Sequence, residues 1–239
     1  ASHDLKQDFN CGAYEQEALQ RLEELFGQHD YVVAVGGSGL YIKALCEGMD
    51  DLPEVDPTLR SQLADDMKQL GIDAMAERLR ELDPAFYEVV DRKNPARILR
   101  ALEVCIGTGA PYSSLRTGKR RPRPFNIIKI ATDMERTLLY ERIDKRVDIM
   151  IEQGLVNEVK KFSHLKHHNS LNTVGYKEIF KYLDGEWTLD FAIEKIKQES
   201  RRYAKRQLTW FRRDTQIAWF SPHDIEPIIS HIDAKILQN

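Results

Sequence analysis

Apolar positions recur at helical spacing along most of this chain. In residues 13–26 (AYEQEALQRLEELF), Tyr14, Ala18, Leu22 and Leu25 fall three or four apart, which predicts an amphipathic helix facing water on one side. Residues 57–70, 72–82 and 95–106 carry the same period. Asp83-Pro84 and Asn94-Pro95 mark helix starts, with Asp or Asn as N-cap and Pro at the first helical position. Tyr31–Val35 (YVVAV) departs from that period. It is a short β-branched run without alternation, the pattern of a strand buried on both faces. The run passes through Gly36, Gly37, Ser38 and Gly39 into LYIKAL, which reads as helix; strand, glycine turn and helix make an α/β signature. Phe125–Ala131 and Ile217–Phe220 predict two further strands, and the rest is helical to about residue 213.

A turn-rich connector at residues 50–57 (DDLPEVDP) and the run Thr117–Pro124 (TGKRRPRP) bracket an all-helical block. The expected organisation is therefore an α/β core from residues 1–48 and 125–239, helix-rich toward its C-terminus, with an inserted helical domain at 49–124.

With 239 residues, 42% hydrophobic and 31% charged, the chain is an ordinary globular protein, long enough for one or two domains. No apolar run is long enough for a transmembrane helix, and the opening ASHDLKQ lacks the pattern of a signal peptide, so no membrane is expected. Cys11, Cys46 and Cys105 are too scattered for a disulfide framework or a zinc site and suggest a reducing, cytoplasmic compartment. The net charge of −3 hides a division. Residues 1–91 carry 7 basic and 20 acidic side chains (−13), whereas residues 92–239 carry the other 28 and 18 (+10). Such asymmetry points to a polyanionic partner for the basic part, or to helix faces solvated differently.

Five local features bear on chemistry. Gly36–Gly39 before a helix can cradle an anion on free N–H groups, or simply make a tight connection. The chain contains no G-x-x-x-x-G-K-[ST], no G-x-S-x-G and no H-E-x-x-H. His164, His167 and His168 lie in a polar stretch that reads as a surface loop rather than a metal site. Arg142 and Arg146 flank the apolar stripe of a helix starting near Arg136, where an anion or snorkelling accounts for two like charges four apart. Residues 192–213 carry eight Lys/Arg against Glu194 and Glu199, interleaved with Tyr203, Trp210 and Phe211, a composition suited to phosphate contacts and base stacking. Lys119, Arg120, Arg121 and Arg123 add a second basic run.

Seven segments in order resemble the tRNA dimethylallyltransferases. Gly36–Leu45 (GGSGLYIKAL) is similar to the family's GGT-x-LY-x-KAL, with Ser38 in place of Thr. Leu52-Pro53 with Asp56-Pro57-x-x-Arg60 resembles the opening of its inserted domain, and Asn94–Val104 (NPARILRALEV) its N-x-x-R-x-x-RALEV element. Arg142-Ile143-x-x-Arg146 resembles a helix whose arginine is assigned to the diphosphate. Val174–Glu178 (VGYKE, with Lys177 for Arg), Tyr182-Leu183-x-Gly185 and Lys205–Arg212 (KRQLTWFR) complete the series, from about residue 33 to residue 212.

The resemblance implies a P-loop-NTPase-like core and transfer of a dimethylallyl group from dimethylallyl diphosphate to N6 of the adenine 3′ of a tRNA anticodon, with Mg²⁺ as cofactor. It further implies Arg146, with Arg142, at the diphosphate. Ser38 would touch the flipped nucleotide, and Arg60, Arg97 and Arg100 would hold the anticodon arm. Thr173, Gly175, Tyr176, Lys177, Lys205, Arg206, Gln207, Trp210 and Arg212 would line the RNA path of a monomer. The family's opening G-x-T-x-S-G-K-[ST] and D-S-x-Q segments do not occur. The expectation is accordingly an incomplete α/β core, an inactive fragment lacking the phosphate loop and general base. The charge pattern alone also fits a non-catalytic RNA-binding module.

Overall fold

The structure is a computed structural model that describes residues 2–7, 9–50 and 52–238; Asp51 of the expected connector lies outside them. The chain forms two compact units, Glu47–Pro122 and Ala1–Cys46 with Arg123–Asn239. The described helices and strands run α1 (Cys11–Phe26), α2 (Gly39–Glu47), α3 (Pro57–Leu82), α4 (Pro84–Val89), α5 (Pro95–Thr108), α6 (Tyr112–Leu115) and β1 (Ile130–Thr132). They continue with α7 (Arg136–Glu152), α8 (Leu155–Lys161), α9 (Tyr176–Leu183), α10 (Leu189–Phe211), β2 (Ala218–Phe220) and α11 (Ile225–Ile236).

The unit Glu47–Pro122 is helical throughout its regular structure. Its core joins Leu63, Met75 and Leu79 of α3 to Ile98 and Leu102 of α5. Gly71, at φ +82°, breaks α3 where the sequence predicts two helices. Asp83 is 1% exposed. Its carboxylate caps α4 by accepting the Phe86 N–H at 2.9 Å and holds Ser113 through the backbone N–H (2.6 Å) and hydroxyl (2.7 Å). Asn94 caps α5 in the predicted way, and Gly109, at φ +71°, ends it.

In the other unit, Val147, Val159, Ile179, Ala192 and Ile196 bring α7 to α10 around one core. Strands β1 and β2 pair in parallel, Ile130 with Ala218 and Thr132 with Phe220. A parallel pair needs a long crossover, and here that crossover holds α7 to α10. The Arg123 guanidinium donates to Glu15 of α1 (2.7 Å) and to the carbonyls of Ala44 (2.6 Å) and Leu45 (2.8 Å) in the last turn of α2. Those carbonyls lack helical partners, so a buried cation there satisfies acceptors and complements the helix dipole.

The expected α/β core is not what the described residues form. They are mostly helical, and their sheet is two strands of three residues. Tyr31–Val35 has no regular structure, with Val33 86% and Val35 95% exposed, and the strand predicted over Phe125–Ala131 is reduced to its end. A β-branched run fits a pleated surface but does not supply one; without a ladder partner its propensity yields no strand.

Arg123→Ala is expected to destabilise the protein by about 3 kcal/mol, because the buried Glu15 carboxylate loses its guanidinium. Urea unfolding measures this, and Arg123→Lys, which keeps the charge, should lose less.

Candidate functional site

Helices α7 and α10 determine where positive charge is free. Asp144 of α7 accepts from Arg201 (2.7 Å) and Asp148 pairs with Lys197 (2.7 Å), so these two of the four acids of α7 face α10. Arg202 pairs with Glu199 (2.6 Å) and Arg212 with Asp133 (2.5 Å). Lys195 lies 5.2 Å from the Phe191 ring. Among the described residues, Lys205, Arg206 and Arg213 meet no carboxylate and are exposed. The Arg206 guanidinium sits 5.6 Å from the Tyr203 ring, and Tyr203 and Trp210 are both exposed. The C-terminal end of the basic helix thus presents exposed cations without carboxylate partners beside aromatic surface.

On α7, Arg142 and Arg146 are exposed, one turn apart, and without a carboxylate partner among the described residues. Arg142 also lines a cleft of about 700 Å³, with Asp133, Glu141, Lys145, Ser221 and His223. Its walls include the residues that directly follow β1 and β2, the carboxyl ends at which parallel sheets hold ligands. Asp133 is taken by Arg212. Glu135 caps α7 by accepting the Leu138 N–H (3.1 Å), and hydrogen bonds to its carboxylate, those from Thr137 first, hold its pKa below the usual range.

The glycine turn gathers Ser38, Gln207 and Trp210. Ser38 is exposed, and its carbonyl accepts the Ile42 N–H (3.0 Å) that opens α2. Gln207 Nε2 donates to the Gly37 carbonyl at 2.7 Å. A methyl group on Gly39 would lie 2.3 Å from Trp210 Cδ1. Farther along, Gly175 (φ +101°) gives its N–H to the buried Glu178 (2.7 Å), while Thr173 and Lys177 are exposed. The Tyr176 hydroxyl donates to Glu158, and its pKa is pushed up to about 12, by burial first and then by that carboxylate.

In the helical unit, Arg60 and Arg100 are not independent. Both reach Glu103, whose side chain is 5% exposed: Arg60 at 2.8 Å and Arg100 at 3.0 Å. Arg97 is exposed on the same helix as Arg100. Sequence reasoning passed over Glu103, although its i,i+3 spacing from Arg100 was a signal. The Gln207 and Trp210 contacts had no local signal. No group of three or more His, Cys, Asp or Glu among the described residues could hold a metal ion.

The family model described as IPP transferase matches residues 2–214. The chain is 49% identical over 224 residues to tRNA dimethylallyltransferase 1 of Bacteroides thetaiotaomicron, covering 94% of this chain and 73% of that one. It is 47% identical over 232 residues to the tRNA dimethylallyltransferase of Cytophaga hutchinsonii, covering 97% and 76%. A solved tRNA isopentenylpyrophosphate transferase from Bacillus halodurans superposes with a TM-score of 0.64 at 33% identity, over 99% of this chain and 75% of that one. These matches correct the expectation of an inactive fragment lacking its phosphate loop and general base. Family similarity begins at residue 2 rather than about residue 33, and the mostly helical fold is matched over nearly the whole chain, not as an incomplete P-loop core.

Glu158→Gln is expected to lower the Tyr176 pKa from about 12 toward 10.0, since a neutral acceptor no longer opposes the phenolate. Ultraviolet titration of the tyrosines, with Tyr176→Phe to assign the late-ionising phenol, measures the shift.

Proposed function

The chain belongs to the IPP transferase family and transfers a dimethylallyl group to tRNA; we propose that the donor is dimethylallyl diphosphate and the acceptor N6 of the adenine 3′ of the anticodon. The observation that supports this reading is the pair Arg142 and Arg146, left unpaired while the neighbouring acids Asp144 and Asp148 are engaged by α10. In the reaction the allylic C–O bond breaks, the carbon bonds to the exocyclic nitrogen, and diphosphate and a proton depart. Arg146, with Arg142 beside it, meets the charge that grows on the departing diphosphate. The adenine must leave its stack to reach the donor, and in this reading the exposed Ser38 hydroxyl contacts the extruded nucleotide.

Lys205, Arg206 and Arg212 offer phosphate contacts, and Thr173, Gly175, Tyr176 and Lys177 continue the path. Arg60, Arg97 and Arg100 hold the anticodon arm. Mg²⁺ binds hard oxygens, often one or two carboxylates together with substrate phosphates. Of the cleft's carboxylates, Asp133 is held by Arg212 and Glu135 by the start of α7, while Glu141 is exposed and would be the one to hold Mg²⁺ together with substrate phosphates, where the ion would offset the charge of the diphosphate.

Incubating the chain with tRNA and dimethylallyl diphosphate should add the mass of one dimethylallyl group to the tRNA. Binding without that gain would favour a non-catalytic RNA-binding module. Arg146→Ala should lower kcat about a hundredfold and leave tRNA affinity within about twofold, as steady-state rates and binding titrations read separately. Replacing Lys205 and Arg206 together by Ala should flatten the log–log salt dependence of tRNA binding by about 0.7 per cation on single-stranded RNA.

A further inference from the structure

Gln207 and Trp210 lie within the basic, aromatic end of α10, where an RNA contact is the expected role. Gln207 is engaged on the glycine turn, and Trp210, though 40% exposed, packs one edge of its ring there as well. Gln207 Nε2 donates to the Gly37 carbonyl at 2.7 Å, and a methyl group on Gly37 would come within 2.3 Å of the same nitrogen. The Trp210 indole packs so closely on Gly39 that an added Cβ would sit 2.3 Å from Cδ1 and 2.4 Å from Nε1. Neither Gly37 nor Gly39 has a positive φ. Gly39 is required by the approach of the rigid Trp210 ring rather than by backbone conformation, whereas at Gly37 the close atom is the end of the flexible Gln207 side chain. The residues interleaved with the clamp, Lys205, Arg206, Thr209 and Arg213, are exposed. One face of the last turns of α10 therefore grips the turn on both sides of Ser38, while Lys205, Arg206, Thr209 and Arg213 meet solvent.

We infer that Gln207 and Trp210 are positioning residues: they hold the Gly37–Gly39 backbone, and with it the Ser38 hydroxyl and the start of α2, in the geometry the transfer uses. This role rests on the transferase reading above; the clamp itself does not. An amide hydrogen bond fixes the carbonyl before Ser38, and a rigid ring blocks sliding of the backbone after it. A small misplacement of a contacting group is costly to turnover while barely altering the affinity set by phosphate contacts elsewhere.

Gln207→Ala is expected to lower kcat at saturating tRNA about tenfold and to leave the Kd for an anticodon stem-loop RNA within about twofold. A tenfold weaker Kd, with or without a turnover change, would overturn the inference in favour of direct RNA contact, and an unchanged kcat would overturn it as well. A thermal-unfolding cycle tests the clamp without activity. Gly39→Ala should lower Tm in the wild-type background and be neutral or stabilising in Trp210→Ala, where the ring is gone and alanine is the better helix former. Additive penalties would overturn the contact. A wild-type chain that transfers nothing would overturn the transferase reading and the assigned role together, with the thermal cycle still reading the clamp.

Discussion

The ion pairs between α7 and α10 are the constraint on which the candidate site depends. Asp144 and Asp148 face Arg201 and Lys197 across the helix pair, on the rim of a core built from Val147, Ala192 and Ile196. Partly exposed pairs of this kind add little stability singly. Their larger effect is on allocation. Each acid that meets α10 is withdrawn from the arginines two residues before it, and each cation of α10 that meets α7 is withdrawn from solvent. The two helices thus exchange charges so that Arg142 and Arg146 stay unpaired on one and Lys205 and Arg206 on the other. A polyanion meets cations that carry no internal competitor.

Local chemistry was legible in the sequence. Asp83-Pro84 and Asn94-Pro95 start helices as their types predict, because an N-cap and a first-turn proline need no distant partner. The break at Gly71 was visible for the same reason. Tyr31–Val35 misled because a strand is a relation between segments, and the described residues offer this one no ladder. The glycines at 37 and 39 were visible, but their reason was not. It lies in Gln207 and Trp210, far along the chain, and in an approach distance that no motif encodes.

The site residues divide along the same line. Arg142, Arg146, Lys205 and Arg206 were found through charge spacing and remain open to solvent. Gln207 and Trp210 were placed with them by the family resemblance of the segment Lys205–Arg212, yet neighbours on a helix look in different directions. A residue's membership in a basic segment gives its address, and only the packing gives its orientation.

Glu103 gives the helical unit a different electrical character from the one its arginines suggest. Two guanidiniums share one buried carboxylate, so Arg60, Arg100 and Glu103 amount to a single positive charge spread across α3 and α5. The members of such a triad are epistatic. Loss of either arginine leaves the other neutralised, whereas loss of the carboxylate leaves two like charges side by side with nothing between them. Sequence drift at any one of the three positions is thereby conditioned on the other two, and charge-swapping the surface to tune RNA affinity would have to treat them as one unit.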